Sequence, residues 1–362
     1  MNMNTTRPRN FASDNYAPVC PEAWEAMQAA NVDHVSAYGT DKWTSGACEA
    51  IRGIFETDCE VYFAFNGTAA NSLSLASLCR SYHSVLCHPL AHIETDECGA
   101  PEFYSGGSKI LLVEGENGKI SPDAVEATVQ RRKDMHFPKP KVVSITQSTE
   151  VGTVYSPAEL RQLGAITHGL GLHLHMDGAR FANALAHLEC SPKDITWKAG
   201  VDVLCLGGTK NGLAVGEAVV FFNRDRAREF EYRCKQAGQL CSKMRYLSAP
   251  WLGVLRDGAW LRHAANANAR AARLEQGLRG IPGVEILFPR EANAVFARLE
   301  PRLISGLYAR GWSFYDFIGA GGSRLMCAWD TTDEDVDAFL TDVQDLVASS
   351  EDHSHQHPVI RH

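Results

Sequence analysis

The sequence lacks the features that mark several broad classes of protein. It has no long run of lysine and arginine, and its 362 residues carry a formal net charge of −8 at pH 7, which argues against a nucleic-acid-binding surface. It has no run of about 18 apolar residues that could cross a bilayer. Its polar first fifteen residues do not resemble a signal peptide. We therefore expect a cytoplasmic protein with no nucleic-acid partner and no membrane partner.

Paired cysteine motifs are also missing. The chain has 11 cysteines, an odd number, and no C-x-x-C motif, and some of the cysteines lie in apolar segments such as 203–206. Cysteines in such positions usually behave as small, reduced core residues. We therefore expect no disulfide framework, no redox motif and no metal site.

Short apolar segments alternate with helical patterns from about residue 50 to residue 225. The segments predicted as strands are 61–65, 84–87, 110–113, 142–145, 173–176, 203–206 and 218–222. Helices are predicted at 69–79, 122–133 and 157–169, and the last two begin with Ser-Pro, which is a helix-start signal. Strands that alternate with helices are typical of an α/β fold with a mostly parallel sheet flanked by helices.

The pattern changes after residue 250. A long helix is predicted at 251–279, followed by strands at 284–288, 294–298 and 324–328 and helices near 302–310 and 333–347. This order predicts a smaller C-terminal α+β domain. The chain would then comprise an N-terminal arm (1–30), a large domain (31–250), a small domain (251–348) and a disordered tail (349–362), with no metal role for the four histidines of the tail.

The first candidate site is a glycine turn, Asn-Gly-Thr-Ala-Ala-Asn at 66–71, between a predicted strand and a predicted helix. Free backbone N–H groups and the helix dipole make such a junction attractive to anions. By itself the turn also fits an ordinary strand–helix connection. The G-x-G-x-x-G and G-K-[ST] motifs are absent, so dinucleotide binding and a P-loop are not favoured.

Two charged residues follow later strands. Asp177 ends the strand predicted at 173–176, and Lys210 lies 33 residues later, between Gly208 and Gly212. This spacing is about one βαβ unit, so both side chains could reach one cleft at the carboxyl edge of the sheet. A lysine that can lose its proton suits bond formation with an aldehyde. The alternatives are a helix-capping aspartate and a solvated loop lysine.

An anion-binding turn, a strand-end aspartate and a glycine-flanked lysine in this order resemble the site of fold type I pyridoxal-phosphate enzymes. The segments 66–71, 91–92, 175–180 and 209–216 make the resemblance more specific. They are similar to low-specificity L-threonine aldolases of the pseudomonad-type branch, over nearly the whole chain from residue 13 to residue 329. The resemblance implies an aldehyde-lyase that uses pyridoxal 5'-phosphate to cleave β-hydroxy-α-amino acids into glycine and an aldehyde.

The resemblance also implies roles around the cofactor. Lys210 would carry pyridoxal phosphate, and Asp177 would pair with its pyridine nitrogen. Gly67 and Thr68 would hold the phosphate, and His92 would stack on the ring.

A second group of residues is assigned to the substrate and to subunit contacts. Ser13 and Arg324 would bind the substrate carboxylate, and Arg180 would lie near the ring and the substrate. Tyr38 and Lys235 would enter the site from a neighbouring subunit. The resemblance thus implies a homo-oligomer, a dimer or a dimer of dimers, with shared active sites.

Several alternatives stay open at this point. His92 and His136 are both candidates for the base that takes the proton of the substrate hydroxyl, directly or through a water. Residues 211–216 and Asp96 depart from the family pattern. Neither departure removes a chemical group that the reaction needs, so we expect both to affect only which aldehyde is preferred.

Two other functions stay open. The chain would alternatively be another fold type I enzyme acting at Cα (a racemase, a β-eliminating lyase or an aminotransferase) or a non-catalytic cofactor-binding protein.

Overall fold

The computed structural model describes residues 10–316 and 322–354. The helices are α1 (Pro21–Ala30), α2 (Lys42–Phe55), α3 (Gly67–Leu78), α4 (His92–Thr95), α5 (Ala100–Tyr104), α6 (Pro122–Gln130), α7 (Pro157–Gly169), α8 (Phe181–Leu188), α9 (Phe230–Gln236), α10 (Arg245–Leu255), α11 (Ala259–Leu278), α12 (Pro301–Ala309) and α13 (Asp333–Ser354). The strands are β1 (Glu60–Ala64), β2 (His83–Cys87), β3 (Lys109–Leu112), β4 (Lys139–Thr146), β5 (His173–Gly178), β6 (Val203–Leu206), β7 (Glu217–Phe221), β8 (Val284–Ile286), β9 (Ala294–Leu299), β10 (Tyr315–Asp316) and β11 (Ser323–Met326).

The first seven strands form one sheet in the order β1-β7-β6-β5-β4-β2-β3. The neighbouring strands β6, β5, β4, β2 and β3 are parallel to one another, whereas β7 is antiparallel to both β1 and β6. Each predicted strand of this region overlaps a strand of the structure. The predicted fold class, a mostly parallel sheet flanked by helices, is confirmed.

Helices cover both faces of this sheet, which explains why β5 and β6 are buried along their whole length. On one face, Leu73 of α3 joins a core cluster with Val142 of β4. On the other face, Leu160 of α7 joins a cluster with Leu174 of β5. Because both faces are closed, the open carboxyl edge of the parallel strands is left for a site.

Both predicted Ser-Pro helix starts are present. Ser121 caps α6 by accepting the N–H of Ala124, and Ser156 caps α7 in a capping box with Glu159. The helix α6 ends at Gln130, three residues before the predicted end.

The small sheet has the order β10-β11-β9-β8 and is antiparallel throughout. The N-terminal arm packs against it, since Phe11 is fully buried and its carbonyl accepts the N–H of Met326. The predicted continuous helix 251–279 is wrong. Asp257 (φ 54°) and Gly258 (φ 68°) adopt left-handed conformations that separate α10 from α11.

The last helix, α13, continues to Ser354, beyond the predicted end at residue 347. The predicted disordered tail, 349–362, therefore begins inside a helix, and its residues 355–362 lie outside the described residues. Among the helices described, none is long and apolar enough to cross a membrane.

Candidate active site

A cavity of about 360 Å³ opens at the carboxyl ends of the parallel strands. It brings together five of the residues that the sequence predicts for the cofactor site: Gly67, Thr68, His92, Asp177 and Lys210. Other residues around it are Asn15, Asn71, Glu150, Thr209, Val215 and Glu217. Motifs that are far apart in the sequence thus line a single cavity in the folded chain.

The first turn of α3 forms one wall of this cavity. Asn66 caps the helix by accepting the N–H of Ala69 at 2.9 Å, and Gly67 and Thr68 face the cavity. The position of a Cβ on Gly67 has no atom within 4 Å, so this turn is open rather than packed against protein. An open helix N-terminus of this kind suits a phosphate group.

Asp177 is the second-last residue of β5, is only 5% exposed and is held at both carboxylate oxygens. Asn71 Nδ2 donates to Oδ2 at 2.8 Å, and the N–H of Ala179 donates to Oδ1 at 2.9 Å. The second bond closes a local turn and is not the helix cap of the alternative interpretation, because the N-cap residue of α8 is Arg180, which has no side-chain capping bond. The first bond joins two side chains that line the cavity. A carboxylate fixed in this way suits a positively charged ring nitrogen.

His92 is connected to Asp177 through two other side chains. The Nδ1 atom of His92 lies 2.8 Å from Oε1 of the buried Glu97, and Asn71 Nδ2 also donates to that oxygen at 2.9 Å. The hydrogen bond to Glu97 raises the pKa of His92. Burial raises the pKa of Glu97, while hydrogen bonds from His92 and Asn71 oppose that effect. With Nδ1 occupied as a donor to the carboxylate, Nε2 of His92 is left to accept a proton.

Lys210 lies in a tight turn, Thr209–Asn211, that follows β6. A Cβ on Gly207 would lie 2.3 Å from the carbonyl oxygen of Ala179, and Gly212 has a φ of +100°. These contacts and this backbone conformation explain the glycines around the lysine. They hold Lys210 at the cavity.

A buried ion pair lies beside this turn. Arg180 Nε and Nη2 donate to the two carboxylate oxygens of Asp14 at 2.7 and 3.0 Å, and Asn293 donates to Asp14 at 3.1 Å. Burial tends to raise the pKa of Asp14, but the charges of Arg180 and Lys210 and the hydrogen bonds outweigh burial and lower it. The structure therefore gives Arg180 a carboxylate partner from the protein itself.

Arg324 has spare hydrogen-bonding capacity close to this ion pair. Its Nη2 donates to the carbonyl of Ala12 at 3.1 Å, but its buried Nε has no partner in the part of the chain that the structure describes. Burial, followed by the charge of Arg180, lowers the pKa of Arg324. Ser13 is buried next to Ala12, and its hydroxyl accepts the N–H of Asn15 at 3.2 Å. An unpaired buried donor on a cation is a natural place for an anionic group.

Comparisons with known proteins agree with this geometry. The model of the Beta-eliminating lyase family matches residues 10–301. The low-specificity L-threonine aldolase of a Pseudomonas species is 58% identical over 95% of this chain and 100% of its own length. The chain belongs to the low-specificity L-threonine aldolase family. A Pseudomonas aeruginosa member is 60% identical, over 94% of this chain and 98% of its own.

A solved structure extends the comparison. The threonine aldolase of Leishmania major has a TM-score of 0.89 at 28% identity and covers 94% of this chain and 100% of its own. The predicted family and the predicted enzyme class, a lyase, are confirmed by these matches.

Tyr38 and Lys235 contact each other away from the cavity. Both are exposed, and Nζ of Lys235 lies 4.9 Å from the centre of the Tyr38 ring. Neither lines the cavity of its own chain. Their entry into a neighbouring subunit's site stays a prediction.

His136 is not brought to the cavity within one chain. It is exposed in the loop before β4, and its backbone N–H donates to Asp134. The cavity lies at the other end of this eight-residue strand, a distance of about 26 Å at the usual rise of a strand. A role for His136 at the substrate hydroxyl would therefore require a second copy of the chain.

Three potential metal ligands lie outside the cavity, on Cys20, Glu22 and His263. His263 Nε2 and Glu22 Oε2 are 2.9 Å apart, and burial raises the pKa of the Cys20 thiol to about 11. The histidine and the carboxylate thus satisfy each other, and the thiol is held protonated.

Several polar residues of the site were missed from the sequence. Asn71 falls within the turn motif at 66–71, and Glu97 lies at the end of an acidic segment, but neither position has a local signal for a role. The same holds for Asp14 and Asn293, which are 279 residues apart and meet only in the fold.

Proposed function

We propose that this chain is a pyridoxal-phosphate-dependent aldolase. It would cleave L-threonine, L-allo-threonine and related β-hydroxy-α-amino acids, such as phenylserine, to glycine and an aldehyde. The observation that carries the proposal is the meeting of Lys210 and Asp177 in one cavity with the open first turn of α3. The threonine aldolases among its relatives support the same reaction.

The residues around the cavity fit the cofactor. Lys210 would bond to its aldehyde carbon, Asp177 would hold the protonated pyridine nitrogen, and Gly67 and Thr68 would bind the phosphate. His92 would lie against the ring. When bound, pyridoxal phosphate supplies an electron sink for the bond broken at Cα.

Arg324 and Ser13 are proposed to bind the substrate carboxylate. The partnerless buried Nε of Arg324 supports this role, because a carboxylate would satisfy it together with Nη2. Arg180 is proposed to lie near the ring and the substrate. Since Asp14 occupies two of its donors, Arg180 would orient the carboxylate-binding side of the cavity.

His92 is proposed to take the proton of the substrate hydroxyl. Its Nδ1 is engaged by Glu97, which fixes the ring and leaves Nε2 as the accepting atom. His136 remains the second candidate, from another copy of the chain.

The test is product analysis with purified protein and added cofactor. L-threonine, L-allo-threonine and L-phenylserine should each yield glycine and the matching aldehyde in equal amounts, and Lys210→Ala should yield neither. Release of a keto acid would instead indicate transamination or β-elimination, and inversion at Cα would indicate a racemase. Cofactor binding without any product would indicate a binding protein.

We also propose that the active form is a homo-oligomer with shared sites. Tyr38 and Lys235 form one exposed aromatic–cationic pair, and a lysine from a second subunit would suit the cofactor phosphate. Subunit exchange between Lys210→Ala and the double variant Tyr38→Ala, Lys235→Ala should restore activity, because a mixed dimer then has one site without lesions. No recovery, with exchange verified by native mass spectrometry, would contradict shared sites.

A further inference from the structure

Glu217 is a buried carboxylic acid at the cavity to which the proposed reaction gives no role. It begins β7, the strand that is antiparallel to both of its neighbours, and pairs with Ala64 at the end of β1. The reversal places the start of β7 at the same edge of the sheet as the ends of the parallel strands. Its side chain therefore lines the cavity together with Lys210.

The carboxylate accepts hydrogen bonds from the turn that carries the lysine. The N–H of Gly208 donates to Glu217 Oε2 at 2.6 Å, and the hydroxyl and backbone N–H of Thr209 also donate to the carboxylate. Gly208 has little room to move, because a Cβ there would lie 2.7 Å from the carbonyl oxygen of Gly216. Glu217 thus anchors the two residues that precede Lys210.

The same carboxylate presents a titratable charge to the lysine. Burial raises the pKa of Glu217 to about 7, while the bonds from Gly208 and Thr209 and the positive charge of Lys210 oppose this rise. The buried thiol of Cys205 on β6 is a second titratable neighbour, and burial raises its pKa well above the usual range. Asp177 and Glu150 line the same cavity as Glu217 and Lys210.

We propose that Glu217 is a positioning residue for Lys210: by accepting the N–H of Gly208, its carboxylate fixes the turn that presents the lysine to the cavity. The inference rests on the proposed role of Lys210 as the lysine that carries the cofactor. Bond formation with an aldehyde requires the lysine nitrogen to reach the carbonyl carbon, and the bond is completed as water leaves. Glu217 thereby holds Lys210 where it can react.

The anchoring is tested on cofactor-free protein with Glu217→Asp, which is one methylene too short for the bond to Gly208. Amide hydrogen exchange across residues 207–210 should become several-fold faster, while exchange in β5 stays unchanged. Glu217→Gln, whose amide oxygen can still accept this N–H, should keep exchange slow, and Glu291→Asp is the matched control, since Glu291 also accepts a backbone N–H at 2.6 Å, from Val154, outside this cavity. Unchanged exchange in the turn of Glu217→Asp would overturn the anchoring role. The readout uses neither cofactor nor substrate, so failure of the aldolase proposal, read from glycine release by the wild type, is a separate result.

Discussion

Two groups of side chains near the cavity of Lys210 contain buried acidic residues, and the two groups hold these acids differently. We define the arginine side by Asp14, Arg180, Asn293 and Arg324, and the histidine side by Asn71, His92, Glu97 and Asp177. On the arginine side, the pKa of Asp14 is lowered because a permanent cation is bound to both of its oxygens. On the histidine side, the pKa of Glu97 is raised by burial, and its partner is a group that can itself lose a proton.

This difference separates a fixed pair of charges from a pair that can exchange a proton. The guanidinium of Arg180 cannot be deprotonated in proteins, so its pair with Asp14 can only position other groups. The imidazole of His92 can lose its proton, and the hydrogen bond to Glu97 raises its pKa, so this pair can move a proton. We therefore expect changes on the arginine side to alter stability and substrate binding, and changes on the histidine side to alter cofactor binding and pH dependence.

The largest effect is expected from Asp14→Asn. Removal of the charge leaves Arg180 buried without a counter-ion, which should lower the free energy of unfolding by about 3–5 kcal/mol in urea titrations. Because the folded-state pKa of Asp14 is lowered, its stabilisation is present above the usual aspartate pKa and is lost as pH falls through the folded-state value. The difference between variant and wild type should therefore shrink in acid. Glu285→Gln, which removes an exposed partner of Arg298, is the control and should change little.

Arg324→Ala should act on the substrate rather than on the fold. Loss of a charged contact with the substrate carboxylate should cost about 2–5 kcal/mol in kcat/KM, mostly through KM. Cofactor loading, followed by absorbance, should be retained. The control is Arg298→Ala, an exposed arginine of the same small sheet. An unchanged KM would place Arg324 outside the site.

Asp177→Asn separates a role in the local turn from a role at the cofactor. The amide oxygen can still accept the N–H of Ala179, so the turn would survive, but the charge offered to the ring nitrogen is lost. Cofactor affinity should fall about ten- to a hundredfold in absorbance titrations, the usual value of a charge-assisted hydrogen bond. The control is Asp202→Asn, a buried carboxylate that accepts the N–H of Leu174. Wild-type affinity and turnover would limit Asp177 to its role in the local turn.

Glu97→Gln should give the smallest effect and the most specific one. The bond to Glu97 is the largest cause that raises the pKa of His92, so its loss should lower that pKa. If neutral His92 is the base, kcat/KM rises as pH passes through this pKa, and the acidic limb of the profile should move to lower pH by up to about one unit. Asp202→Asn serves again as the control, because Asp202 pairs with His168. An unmoved limb would favour His136 from a second copy as the base.

Local signals in the sequence were sufficient for much of the fold. Apolar runs of four to eight residues predict the strands because a strand covered on both faces must be apolar throughout. The Ser-Pro pairs predict the starts of α6 and α7 because caps depend on a few adjacent residues. The break at Asp257 was not predicted, since the apolar pattern of α11 extends back into α10 and hides a two-residue change of backbone conformation.

For the site, the sequence by itself determined which chemical groups are present and their order: an anion-binding turn, then Asp177, then Lys210. The tertiary structure alone decided which other groups join them. Asp14 and Asn293, or Arg324 and the carbonyl of Ala12, are about 300 residues apart, and no local pattern records such contacts. The orientation of a buried carboxylate, such as that of Glu97 or Glu217, depends on the hydrogen-bond donors that packed helices and strands present to it. The arrangement of charges around Lys210 is therefore formed only in the folded chain.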